Sequence, residues 1–145
     1  MTYNMGQALS AYRVAASQGH PLVIVVKLYD EVLRQIARAV EQTEARRIEE
    51  AYLHITKASM ILRGLSSNLR FDKAPDLAQT LKETYVRNLV ALHTSFGKPD
   101  AVERYMRIAT GLTELRNSWA LVAGVAEAAP LGEDKSRAEA RNARR

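Results

Sequence analysis

Cysteine is absent from the 145-residue chain, which excludes disulfides, thiolate metal ligands and thiol nucleophiles together. Glycine (7) and proline (4) are few, so these residues punctuate the chain and do not pervade it. Long apolar runs are missing as well. The densest, Pro21 to Val26, is broken by Lys27 and Asp30, far short of the about 20 apolar residues that a membrane span needs. The opening Met-Thr-Tyr-Asn-Met-Gly has no basic stretch leading into an apolar one, so no secretory leader is expected. These absences set the expectation of a soluble, cytoplasmic protein without membrane insertion.

Charge of one sign is not concentrated. The formal net charge is +5, but the last fifteen residues carry five basic and three acidic side chains. The rest of the excess is spread thinly over both signs. A nucleic-acid binder gathers its cations on one face, so no nucleic-acid partner is expected.

What is abundant is helix-forming and apolar: hydrophobic residues make up 47% of the chain, enough for a core in a single domain. A short leading helix is expected over residues 3–17, with Leu9, Tyr12, Val14 and Ala16 as its apolar content. Gly19 suits its end and Pro21 the start of the next helix. Over residues 21–43, Leu22, Val25, Tyr29, Val32, Ile36 and Val40 recur at steps of three and four, with Leu33 beside them, the mark of one buried helical stripe. Over residues 45–69, Ile48, Ala51, Ile55, Ala58, Leu62, Leu65 and Leu69 keep a heptad seam. Leu77, Leu81, Tyr85, Leu89 and Leu92 predict a helix over 76–96. Val102, Tyr105, Ala109, Leu112, Leu115, Trp119, Val122 and Ala126 predict a last one over 99–128. Beyond Pro130 the periodicity is lost.

Long amphipathic helices with short links predict an all-α protein, an antiparallel up-and-down four-helix bundle with a short N-terminal capping helix. Residues 1–18 are expected to form the capping segment, 19–129 the bundle, and 130–145 a disordered tail.

Nothing in the pattern assembles a catalytic or metal site. His20, His54 and His93 have no Glu-x-x-His spacing of the kind bundle metal sites use. Phosphate-cradling glycine motifs are missing, and Ser59 and Ser66 have no base assigned to them. No enzyme activity, metal or cofactor is expected. Tyr29, Tyr52, Tyr85, Tyr105 and Trp119 fall mostly on core stripes, which accounts for them better than a base-stacking platform does.

Several apolar residues overfill the stripes that a core requires: Ile24 and Leu28; Leu53, Met60 and Ile61; Val86 and Val90; Met106 and Ile108. One reading is that wide stripes and the leading helix cover some and leave the others as ordinary exposed apolar residues. The sharper reading is a docking groove for an amphipathic partner segment. Ile24, Leu28, Leu53, Met60, Ile61, Val86 and Val90 are then its candidate residues.

The order of several short motifs adds a further indication. Ala11-Tyr12 comes first, then a proline-initiated helix carrying Leu28-Tyr29-Asp30. Lys57-Ala58, Ile61-Leu62, Leu65 and Asn68-Leu69 follow. Next are Asp76-Leu77-Ala78, Leu81, Tyr85 and Arg87-Asn88-Leu89, and finally Leu112-Thr113-Glu114-Leu115-Arg116-Asn117-Ser118-Trp119. In this order the chain resembles the FliS family of flagellar export chaperones over about residues 11–122. It departs from the family in having Leu22-Val23-Ile24 in place of polar residues after Pro21, and Glu31 where glycine is common.

The resemblance implies a cytoplasmic partner of flagellin that holds its disordered C-terminal segment, prevents premature polymerisation and presents it to type III export apparatus components. It also implies that Tyr12 and Val14 belong to a capping segment occupying part of the groove in the free protein. The alternative is a homo-oligomeric helical scaffold without a flagellin partner, in which the surplus apolar face makes a homodimer.

Overall fold

The computed structural model describes residues 22–70 and 72–132. The expected leading helix, with Tyr12 and Val14, lies outside the described residues, as do residues 133–145 of the expected tail. Four helices make up the described fold: α1 (Leu22–Glu44), α2 (Ile48–Ser67), α3 (Pro75–Ser95) and α4 (Ala101–Ala123).

Links between them are short, and this fixes direction. Three residues join α1 to α2, a reach of about 10 Å, whereas a 20-residue helix is about 30 Å long. The second helix must therefore run back beside the first. The same reasoning applies at the other two links, giving an antiparallel four-helix bundle. Each helix packs against its two neighbours in the ring, closely between α1 and both α2 and α4, and more loosely where α3 meets α2 and α4.

The stripes read from periodicity form the core. α1 buries Leu22, Val26, Tyr29, Val32, Leu33, Ile36, Ala39 and Val40. Its buried arc is thus rotated slightly from the expected one: Val26 and Leu33 are inside, and Val25 is only partly buried. On α2, Ala51, Ile55, Ala58, Leu62 and Leu65 keep the seam. Ile48, the first residue of the helix, is 46% exposed. Of the aromatic residues, Tyr29, Tyr85, Tyr105 and Trp119 are buried, while Tyr52 is exposed and meets the edge of Phe96 at 5.2 Å.

Polar pins cross this core. The hydroxyls of Tyr29 and Tyr85 hydrogen bond between α1 and α3. Ser59 Oγ meets His93 Nε2 at 3.0 Å between α2 and α3. Between α1 and α4, the Arg116 guanidinium donates from Nε to Asp30 Oδ1 at 2.7 Å and from Nη2 to Oδ2 at 3.3 Å.

Two helix ends involve left-handed backbone. α1 continues to Glu44 and closes through Arg46 at φ 60°, with the Arg47 amide bonded to the Gln42 carbonyl at 2.8 Å. α4, expected to reach residue 128, ends at Ala123 because Gly124 takes φ 74°. The amides of Gly124 and Val125 both turn onto the Ala120 carbonyl, a glycine-terminated helix end. The chain then doubles back along α4. Leu131 is partly buried against the core, and Gly132 comes level with Met106.

Candidate partner-binding groove

An apolar concavity lies where α1 begins and α2 ends. It holds about 330 Å³ and is lined almost wholly by carbon. Ile24, Val25 and Leu28 form one wall, with Leu22 at its base. Ile61, Gly64, Leu65, Asn68 and Leu69 form the other, and Tyr85 and Trp119 reach it from the far helices.

Helical spacing explains both walls. Ile24 and Leu28 are four apart and stack on one face, 100° or more away from the core arc of Leu22, Val26 and Tyr29. They are 48% and 38% exposed, so α1 has two apolar faces and its own interior takes only one. On α2, Ile61, Leu65 and Asn68 stack in the same manner, and Gly64 leaves a gap between them. A Cβ built at Gly64 would meet nothing within 4 Å. Glycine in mid-helix costs about 1 kcal/mol relative to alanine. No close packing compensates for that here, so what the missing side chain leaves is the open volume of the groove. Asn68 Nδ2 and Ser67 Oγ both donate to the Gly64 carbonyl, at 2.8 and 3.0 Å.

Arg70, the one charged lining residue, sits at the rim with Asp72 at 3.6 Å. An apolar trough with an amide and a guanidinium at one end suits an amphipathic peptide better than a polar metabolite. Among the described residues no group of three or more His, Asp or Glu side chains is placed to hold a metal.

Of the groove residues expected from sequence, Ile24, Leu28 and Ile61 come together in this one trough. Leu53, Met60, Val86 and Val90 lie outside it, on the outer faces of α2 and α3, at 57%, 64%, 47% and 56% exposure. Met106 and Ile108 are partly buried against the core. Sequence reasoning missed Val25, Gly64 and Trp119 as lining residues. Gly64 was detectable, because a lone glycine inside a helical pattern needs a packing or functional reason.

Further along the seam between α1 and α2, His54 Nδ1 meets Gln35 Oε1 at 2.7 Å, and Gln35 Nε2 donates to Glu31 at 2.8 Å. Burial lowers the His54 pKa below 6.5, and the charges of Lys57 and Arg38 add to this. The ring is therefore neutral at pH 7 and donates from Nδ1. Burial pushes the Tyr105 phenol up.

No described helix is long and apolar enough to cross a membrane. A family model described as flagellar protein FliS matches residues 5–126. No curated protein and no solved structure matches the chain at a significant level.

Proposed function

The chain belongs to the FliS family of flagellar proteins, and from that premise we propose that it is a cytoplasmic export chaperone for flagellin. It binds the disordered C-terminal segment of flagellin, which folds onto the bundle as an amphipathic helix with its apolar face in the groove. Holding that segment prevents filament growth before export and leaves flagellin in a state that type III export components accept. The protein acts by binding alone.

The observation that carries this reading is the second apolar face of α1, Ile24 and Leu28, set against Ile61 across a gap opened by Gly64. Coupled folding of a partner segment has an ordering cost of a few kcal/mol, which this apolar contact offsets. Residues 1–21 join the bundle at Leu22, a groove residue. Tyr12 and Val14 are therefore close enough in sequence to cap the trough in the free protein and leave when flagellin arrives. Leu53, Met60, Val86 and Val90 supply a further apolar contact surface for the same long segment.

Titration with the flagellin C-terminal segment, read by calorimetry and by gain of helicity, tests the proposal. We expect 1:1 binding and loss of at least tenfold in affinity in Gly64→Leu, which fills the gap while raising helix propensity. Absence of binding, or equal binding to Gly64→Leu, refutes the reading.

A further inference from the structure

The stretch after α4 is held in an unusual way. Arg116 Nη1 donates to the Ala126 carbonyl at 2.6 Å. Asn117 Nδ2 donates to the Ala128 carbonyl at 3.0 Å, and the Ala128 amide donates back to Asn117 Oδ1 at 2.9 Å. Arg116 Nη1 also reaches Asn117 Oδ1, at 3.1 Å. With two donors on that oxygen, the orientation of the Asn117 amide is fixed by the network. With the segment in place Arg116 is only 6% exposed, and the Asp30 carboxylate holds its guanidinium from the side away from the segment.

A helix has no free edge to pair with an extended chain, because its own amides and carbonyls are bonded internally. Asn117 replaces that edge with a side-chain amide, which offers one acceptor and one donor in the arrangement of a peptide group. Every bond the clamp makes to the segment is to main-chain atoms. Ala126 and Ala128, the residues held, bring only methyl groups. On either side of them Val125 and Leu131 are partly buried against the core. The run from Val125 to Gly132 passes back along α4 as far as Met106. Residues 125–130 of this run carry neither helix nor turn.

We infer that Arg116 and Asn117 form a recognition site for an extended peptide backbone, filled in the free protein by residues 126–128. In the complex the chain's own segment gives way there to an extended stretch of the flagellin partner. The inference rests on the function proposed above. The geometry defines the ligand: an apolar residue in the place of Val125, a carbonyl to accept from Arg116 at the next position, and two positions later a residue that is not proline because its amide must donate. A second apolar residue follows three positions later, in the place of Leu131. Gly124, left-handed and with open space around it, is the joint on which the internal segment leaves. Because that segment is tethered, it competes at an effective concentration in the millimolar range. A partner must therefore also hold on elsewhere, as the groove on the far flank of α1 allows.

Two substitutions in the full chain separate the clamp from its internal occupant. Ala128→Pro removes the amide donated to Asn117, and Asn117→Ala removes the clamp, with helicity checked by circular dichroism in both. We expect the flagellin C-terminal segment to bind Ala128→Pro about fivefold tighter than the parent, the loss of one hydrogen bond to the competitor, and Asn117→Ala no tighter than the parent. Hydrogen exchange of the Ala128 amide in the parent chain should be slow when free and fast when saturated. Unchanged slow exchange in the saturated complex, or equal tightening in both variants, overturns the inference. A synthetic copy of residues 124–132 added to Ala128→Pro decides the clamp separately from flagellin. It should shift the Asn117 side-chain amide resonances at millimolar concentration, and absence of any shift overturns the site even if flagellin binds. No flagellin binding together with a shift removes the proposed function and the partner while leaving the clamp.

Discussion

Replacing Asp30 with alanine strands a buried cation, and its effect can be worked out from the contacts. The Arg116 side chain is 7% exposed and that of Asp30 is 35% exposed. Breaking a fully buried pair by removing one partner costs about 3–5 kcal/mol. Two features reduce this. Asp30 is partly hydrated, and Arg116 keeps two neutral acceptors, the Ala126 carbonyl and Asn117 Oδ1. About 2 kcal/mol remains for Asp30→Ala, a fall in Tm of about 4–8 °C for a domain of this size. Arg116→Met keeps most of the buried stem and leaves only a hydratable carboxylate, so it should cost less, about 1 kcal/mol. The double variant should resemble Arg116→Met alone, because no charge is then left without a partner. Urea unfolding followed by Trp119 fluorescence and far-ultraviolet circular dichroism gives all four stabilities, and the cycle gives a coupling near 2 kcal/mol. It should persist in about 0.5 M salt, where exposed pairs are screened. A cost for Asp30→Ala below about 0.5 kcal/mol, the range of surface pairs, refutes the reasoning.

The helix ends offer a matched pair of tests. Gly124→Ala should lose about 1 kcal/mol, since φ 74° disfavours a side chain while the space around it is open. Arg46→Gly should gain about 0.5–1 kcal/mol by relieving φ 60°; loss of stability there would mean that the arginine side chain has a role in the turn. Leu62→Ala, at a fully buried seam position, should cost about 3 kcal/mol in urea unfolding, and a cost below about 1 kcal/mol would contradict its burial. His54, with its pKa lowered in the fold, binds fewer protons there than in the unfolded chain. Stability should accordingly be full above about pH 7.5 and fall as pH drops through 6.5 toward the folded value, a slope that His54→Gln removes.

The helices were legible in the sequence because each presents apolar residues at steps of three and four over five or more turns. Their rotation was less so. Val25 and Val26 are adjacent and equally apolar, and only packing against two neighbours decides that Val26 is inside. Two boundaries moved for specific reasons: α2 begins at Ile48 and not at 45 because the turn runs through Arg46, which is not a residue that announces left-handed backbone, and α4 ends before Gly124, which is one, although the alanines after it extended the pattern. Three of the seven expected groove residues come together, since a surplus of apolar positions is visible in sequence but the helix pair that flanks them is not. Asp30 and Arg116 are 86 positions apart and Tyr29 and Tyr85 are 56 apart. No local pattern connects such pairs.

The two phenols that meet between α1 and α3 have a consequence for how the bundle is allowed to fail. Leucine against leucine looks much the same after one helix has slipped along another by a turn, about 5.4 Å, and α3 is the loosest member of the ring. Such a slip would separate the hydroxyls of Tyr29 and Tyr85 and break their buried bond, a net loss of about 1 kcal/mol. The pair works as a notch, so that α3 can loosen and return but has little to gain from resting one turn out of place.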